Sequence, residues 1–276
     1  MIAKRMRLDA ELVRRKMVGS REKARSEIDA GRVLVNGVPA SKAATQVEPT
    51  TSLALADSDE PQWASRGARK LLGALEEFEK AGLTVAGRRC LDAGASTGGF
   101  TDVLLDRGAA RVEAVDVGYG QLVWRLQSDT RVGVHDKTNV RELTPEAIGG
   151  EVDLVVADLS FISLRLVLPA LARCAGPGAD LLPMVKPQFE VGKDRVGSGG
   201  VVRQPALRIE AVVDVAAHAA ALGMTTRACI ASPLPGPSGN VEYFLWLRKN
   251  GTGETGAPRD EASVDLISKA IEEGPR

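Results

Sequence analysis

Beyond Ser65 the sequence alternates helical patterns with short apolar runs, and that alternation admits few folds. A helix pattern at 66–80 is followed by apolar runs at 88–93, 111–117, 131–134, 152–158 and 179–186. A helix pattern at 206–222, a run near 226–231 and a last run at 241–248 complete the series. Short apolar runs separated by helices read as buried strands joined by right-handed crossovers, which builds a parallel sheet covered on both faces. The expected fold class is therefore α/β, with an open Rossmann-like sheet over 65–250. At 44% hydrophobic and 26% charged, the chain has enough apolar residues to fill such a core.

The first 56 residues follow a different plan. Leu8, Leu12 and Val13 repeat at helical spacing, and Ser20 is a suitable cap for a second short helix. Arg32–Val38 reads as a strand entering a hairpin at Asn36-Gly37, with another strand near Thr51–Leu55. A small α+β domain over 1–58 is the expectation, joined by a polar linker at 59–64 in which Trp63 pins the joint. After Asn250 come a Gly-rich spacer and a short amphipathic helix with Val264, Ile267 and Ile271 on one face, read as a peripheral segment over 251–276.

Charge separates the two parts. The whole chain is neutral, with 36 basic and 36 acidic residues, but residues 1–56 hold eleven bases against six acids. That is +5, balanced by −5 in the remainder, and a basic module appended to an acidic one suggests a polyanionic partner. Arg7, Arg14, Arg15, Arg21, Lys23, Arg25 and Lys42, with Arg66 beyond the joint, are the candidate phosphate contacts. No aromatic residue precedes Trp63, so recognition of a folded nucleic acid by shape fits better than base stacking. Three cysteines without a C-x-x-C pair argue against a disulfide framework and fit a reducing cytoplasm. There is no apolar leader and no run long enough to cross a bilayer. His135 and His218 are too isolated to suggest a metal pair, and no metal is expected.

The chemistry is expected at the ends of the strands. Asp92-Ala93-Gly94-Ala95-Ser96-Thr97-Gly98-Gly99-Phe100 forms a Gly-rich turn between a strand and a helix, where a ligand can approach the backbone. A dinucleotide site would favour a leading glycine; Asp92 in that place better suits an amino-acid-bearing nucleoside such as S-adenosylmethionine. Asp116 ends the next strand, where a carboxylate can accept from ribose hydroxyls. Asp136, after the third, is placed to accept from an adenine amino group. Each acid also has the plain alternative of a strand-end cap.

Four segments make a resemblance specific: Asp92–Phe100, Asp158-Leu159-Ser160-Phe161-Ile162-Ser163, Val185–Lys193 with Lys186-Pro187-Gln188-Phe189-Glu190, and Pro235–Glu242. They resemble the TlyA family of ribosomal RNA 2'-O-methyltransferases, whose catalytic domain is similar to the FtsJ/RrmJ group. Arg7-Leu8-Asp9, Ser20-Arg21 and Gly31–Gly37 resemble an S-four-type αL RNA-binding domain. The resemblance implies a class I methyltransferase sheet of seven strands, the last antiparallel and inserted between the fifth and sixth. It implies S-adenosylmethionine held by Asp92, Gly94, Ala95, Ser96, Thr97, Gly98, Gly99, Phe100, Asp116, Asp136 and Asp158. It also implies a Lys-Asp-Lys-Glu tetrad at Lys70, Asp158, Lys186 and Glu242. Arg69 departs from the pattern, since histidine often precedes the tetrad lysine.

The expected activity is methylation of a cytidine ribose 2'-hydroxyl in ribosomal RNA of the large subunit and also of the small subunit, by a monomer acting on RNA or ribosomal subunits. Lys186 is the candidate to help the hydroxyl lose its proton, oriented by Asp158 and Glu242, with Lys70 orienting the ribose. Blander roles exist: Lys70 as a helix surface cation, Glu242 as an edge-strand charge. Two other functions stand as alternatives, a pore-forming haemolysin and a non-catalytic ribosome assembly factor. The first lacks a spanning segment, and the tetrad and Gly-rich turn argue against the second.

Overall fold

The computed structural model describes residues 5–29, 31–40, 42–55, 63–236, 238–251 and 260–275. The segment 56–62, most of the expected linker, and the spacer at 252–259 lie outside the described residues. The chain divides into two compact units, Met1–Gln62 and Trp63–Arg276.

In the first unit, β1 (Met6–Arg7) leads into α1 (Leu8–Arg14) and α2 (Arg21–Asp29), followed by β2 (Val33–Val35), β3 (Val38–Pro39), β4 (Gln46–Val47) and β5 (Leu53–Leu55). Ser20 caps α2, its Oγ accepting from Lys23 N at 3.1 Å. Asn36 and Gly37 both take positive φ, as the β2–β3 hairpin requires. Leu8, Leu12, Ala24, Ile28 and Val33 are closed from solvent and form the small core. The pairing of β1 with β4 was not expected, because two-residue strands carry no period to detect.

The second unit runs α3 (Gly67–Lys80), β6 (Arg89–Ala93), α4 (Gly99–Asp106), β7 (Arg111–Val115), α5 (Trp124–Gln127), β8 (Val132–His135), β9 (Val152–Ala157), α6 (Leu168–Cys174), β10 (Ala175–Val185), α7 (Pro187–Glu190), α8 (Pro205–Ala221), β11 (Met224–Ala231), β12 (Tyr243–Lys249) and α9 (Glu261–Glu272). The sheet order is β11-β12-β10-β9-β6-β7-β8, with β12 antiparallel between the fifth and sixth strands.

Alternate strand residues feed two cores. Leu91, Val155, Leu181 and Leu245 face one, and Cys90, Leu154, Leu182 and Phe244 the other. Trp63 packs against the second. The structure departs from expectation in α9, which is no peripheral helix: Ile267 and Ile271 are buried in the first core, against α8 and β11. β10 begins earlier than the apolar run, with a register shift against β9 between Ala175 and Asp180 where Gly176, Pro177 and Gly178 interrupt it.

Candidate active site

All parallel strands of an open sheet end on one edge, and a ligand binds in the crevice outside it. Asp158 follows β9 and Lys186 follows β10, while Glu242 immediately precedes β12 rather than beginning it. Val185 pairs with Tyr243 in an antiparallel register, so the next position outward sets Lys186 opposite Glu242. The fourth group arrives on α3, which buries Leu71, Leu75 and Phe78 and brings Lys70 to the same edge.

Two ion pairs result. Lys70 Nζ donates to Glu242 Oε2 at 2.5 Å, with side-chain exposures of 10% and 1%. Lys186 Nζ lies 2.6 Å from Asp158 Oδ1 and donates to Ser160 Oγ at 2.8 Å; here Lys186 is 8% exposed but Asp158 24%. One pair is deep and the other opens to solvent. The blander reading of Lys70 as a surface cation is excluded, as is that of Glu242 as a solvent-facing edge charge.

The Gly-rich turn sits beside them. Asp158 N donates to Ala93 O at 3.0 Å, and a Cβ on Gly94 would fall 2.6 Å from Asp158 O, so only glycine allows this close approach at its φ of +88°. Asp92, inside β6, is fully buried. Its Oδ2 accepts from Thr101 Oγ1 at 2.7 Å, and its Oδ1 has no hydrogen-bond partner among the described residues. Burial pushes this carboxyl up to about 7. Asp116 Oδ2 accepts from Ser96 N at 2.8 Å and Oδ1 from Gly118 N at 2.7 Å. Asp136 Oδ2 accepts from Gly120 N at 2.8 Å. Both acids thus shape the loop after β7 and keep lone pairs to spare. Ala95, Thr97, Gly98, Gly99 and Phe100 form the rest of the turn and the start of α4, with Phe100 in the core.

A family model for FtsJ-like methyltransferases matches residues 63–249, and one for the S4 domain matches residues 6–52. Over 274 residues the chain is 60% identical to the 16S/23S rRNA (cytidine-2'-O)-methyltransferase TlyA of Mycobacterium tuberculosis, covering 99% of this chain and all of that protein. The chain belongs to the TlyA family. A Campylobacter jejuni relative, 23S rRNA (cytidine-2'-O)-methyltransferase TlyA, is 35% identical over 189 residues, 68% of this chain and 72% of that one. A solved Streptococcus thermophilus structure carrying the hemolysin name is similar with a TM-score of 0.74 and 34% identity, over 98% of this chain and 96% of that one.

The structure sorts the expected RNA contacts of this TlyA-family chain. Buried Asp9 gathers Arg7 at 3.0 Å, Arg21 at 2.8 Å and Arg25 at 3.5 Å, all about half-exposed. The Arg7 hydrogen bond holds the Asp9 carboxyl well below the usual carboxylate range. Glu11 takes Arg14 and Arg15, and chiefly through the Arg14 hydrogen bond its carboxyl falls to about 2. Arg15 also donates to the carbonyls of Glu48, Pro49 and Thr51, so it ties α1 to that loop and is poorly placed for phosphate. Lys23 pairs with Glu27; Lys42 and Arg66 are exposed.

Three residues of the site had no assigned role in the sequence reading. Phe161 is 91% exposed at a φ of +65°, its ring 5.3 Å from that of Phe189. Asn240 is buried; its Oδ1 accepts from Val202 N at 2.9 Å and its Nδ2 donates to Gly200 O at 2.8 Å, fastening the 198–202 loop beside Glu242. Glu190 joins the segments after β9 and β10. All three lie in the motifs that carry the family resemblance, the only signal that marked them.

Proposed function

We propose that this chain is an S-adenosylmethionine-dependent methyltransferase acting on a cytidine ribose 2'-hydroxyl of ribosomal RNA, in the large subunit and also in the small one. The observation that carries this reading is the paired arrangement at the sheet edge, Lys70 with Glu242 and Lys186 with Asp158, beside a glycine-lined turn. The M. tuberculosis relative of the same length supports the choice of substrate.

The residues present fit the cofactor. Asp92 Oδ1 is a buried acceptor lacking a donor, which suits an amino group, and Asp116 and Asp136 offer free lone pairs toward ribose hydroxyls and an adenine amino group. When bound, S-adenosylmethionine supplies an electrophilic methyl on a positively charged sulfur.

Everything else falls to the chain. A ribose hydroxyl is a weak nucleophile near neutral pH, so it needs positioning and help in losing its proton. Lys186 Nζ donates to Ser160 Oγ and stands in an ion pair with Asp158, which leaves N–H donor capacity for the ribose oxygen. An ammonium held at that oxygen stabilises the negative charge developing on it, and the proton passes to solvent on the open side of the site, where the Asp158 side chain is 24% exposed. Glu242 fixes Lys70 in the neighbouring pair, and the exposed Phe161 ring offers a stacking face for a base. The arginines around Asp9 would hold phosphates with little base specificity. The protein would act in the cytoplasm as a monomer, and no helix among the described residues is long and apolar enough to cross a membrane.

The test uses tritiated S-adenosylmethionine with small and large ribosomal subunits from a strain lacking this gene, comparing wild type with Lys186→Ala. Label at one nucleotide resistant to alkaline cleavage, and absent with the variant, is the expected result. No incorporation into either subunit, with cofactor binding intact, would overturn it.

A further inference from the structure

We infer that Glu190 is a positioning residue of the reaction, clamping the segment that carries Asp158 and Ser160 to the segment that carries Lys186. The inference rests on the methyltransferase reading above and assigns a further residue to that site.

The contacts of Lys186 lie on an irregular stretch, residues 158–163, between β9 and a 3-10 turn at Leu164–Leu166. At its start this stretch is held by β9 and by the bond from Asp158 N to Ala93 O. At its far end Ser163 caps the 3-10 turn and Leu164 enters the core, but Phe161 between the two ends adopts a backbone conformation unfavourable for a phenylalanine. The far end is also clamped from outside. Ser163 Oγ donates to Glu190 Oε2 at 2.6 Å, and Leu164 N donates to Oε1 at 2.7 Å.

Glu190 follows Lys186 by four residues, at the end of the single helical turn of α7. The two segments therefore meet three times in succession: Lys186 on Asp158 and Ser160, Phe189 against Phe161, and Glu190 on Ser163 and Leu164. The first contact is the one proposed to do chemistry, and the last is set deepest. The Glu190 side chain is 2% exposed, with Arg165 beside it at 3.6 Å and donating to its backbone carbonyl at 3.2 Å. Releasing that clamp loosens the far end of the stretch, so Ser160 is no longer held at fixed distance from Lys186 Nζ, while Asp158 keeps its anchor on Ala93 O. Cofactor contacts on the Gly-rich turn are on other elements and are not loosened with it.

The experiment compares wild type, Glu190→Ala, Glu190→Gln and Ser163→Ala on ribosomal subunits, measuring kcat, KM for RNA, cofactor affinity by equilibrium dialysis, the kcat–pH profile and thermal midpoint. An ångström of misplacement can cost about a hundredfold in rate, so Glu190→Ala is expected to lose tenfold or more in kcat. Its KM and cofactor affinity should stay close to wild type, and its kcat–pH profile should be displaced. The amide of Glu190→Gln can still accept from Leu164 N, and its Nε2 can donate to Ser163 Oγ in place of one of the 3.3 Å bonds from Arg165, so this variant should recover most of the rate and overlay the wild-type profile. A folded Glu190→Ala with wild-type kcat, or Glu190→Gln as slow as Glu190→Ala, would overturn the assignment. Should Glu190→Ala fail to fold, Ser163→Ala decides: reduced kcat with unchanged cofactor affinity supports the clamp, and wild-type kcat overturns it. Inactivity of the wild type itself on both subunits would bring down the methyltransferase reading along with the clamp, whereas an active wild type isolates the clamp.

Discussion

The unequal depth of the two ion pairs predicts unequal consequences for stability. Lys70→Met removes the described partner of Glu242, whose side chain is 1% exposed, and leaves a carboxylate closed from water. Breaking a buried pair in this way costs about 3–5 kcal/mol. Glu242→Gln is the milder change, because the Lys70 stem can extend its ammonium toward solvent, and about 1–2 kcal/mol is expected. Lys186→Met leaves Asp158, whose Oδ1 is closed from solvent but whose side chain is 24% exposed and can turn to water, so about 1 kcal/mol is expected there. For a unit of this size each kcal/mol moves the melting midpoint by about 2–4 °C. Scanning calorimetry of the methyltransferase transition should therefore show Lys70→Met lowered by at least about 6 °C and Lys186→Met by about 2–4 °C. The double variant Lys70→Met/Glu242→Gln should melt above Lys70→Met, since the stranded charge is gone. A Lys70→Met midpoint within about 2 °C of wild type, or below no other single variant, would refute the argument from burial.

Other outcomes follow from the same geometry. Burial raises the Asp92 carboxyl to about 7, so between pH 4 and 7 the folded protein keeps a proton that the unfolded chain gives up. The stability from this group is then lost as pH rises toward 7, and Asp92→Asn should gain on wild type by up to about 1.4 kcal/mol per pH unit. Melting both proteins without cofactor at pH 5 and pH 8 checks this; an equal difference at the two values would count against it. In the first unit, Arg21→Ala should lower the magnitude of the slope of log affinity for RNA against log salt by about one. Arg15→Ala, by contrast, should lower the melting temperature of that unit and leave the slope alone, and the reverse pattern would show the two arginines wrongly sorted.

What could be read from the sequence was what local pattern encodes. The order of strands and helices follows from where apolar runs stop, and the antiparallel place of β12 follows from the family resemblance. Asp158, Lys186 and Glu242 were marked by the family resemblance, and their place next to strand ends, where one edge collects them, agrees with it. Other features stayed hidden for physical reasons. The apolar face of α9 was visible in Val264, Ile267 and Ile271, but a spacing says that a face is covered and not by what, so its burial against α8 and β11 stayed hidden. Arg15 looked like any other base in a basic segment. Its role depends on carbonyls more than thirty residues away.

The same limit explains why the tetrad was easier to find than the parts that hold it. Lys70 meets Glu242 across 172 positions; the family resemblance marked both residues but not their pairing, since Glu242 was expected to orient Lys186 and instead holds Lys70. Glu190 and Asn240 had no assigned role. Each acts through side-chain bonds to backbone amides or carbonyls of an irregular segment, 26 residues away for Leu164 and 38–40 for Val202 and Gly200. Irregular segments have no periodicity to announce where their N–H groups will need acceptors. A buried N–H must nevertheless find one, at a cost of about 1–3 kcal/mol if it does not. In this fold those acceptors are supplied next to Lys186 and Glu242, so the residues that satisfy the loops also fix where those two side chains stand.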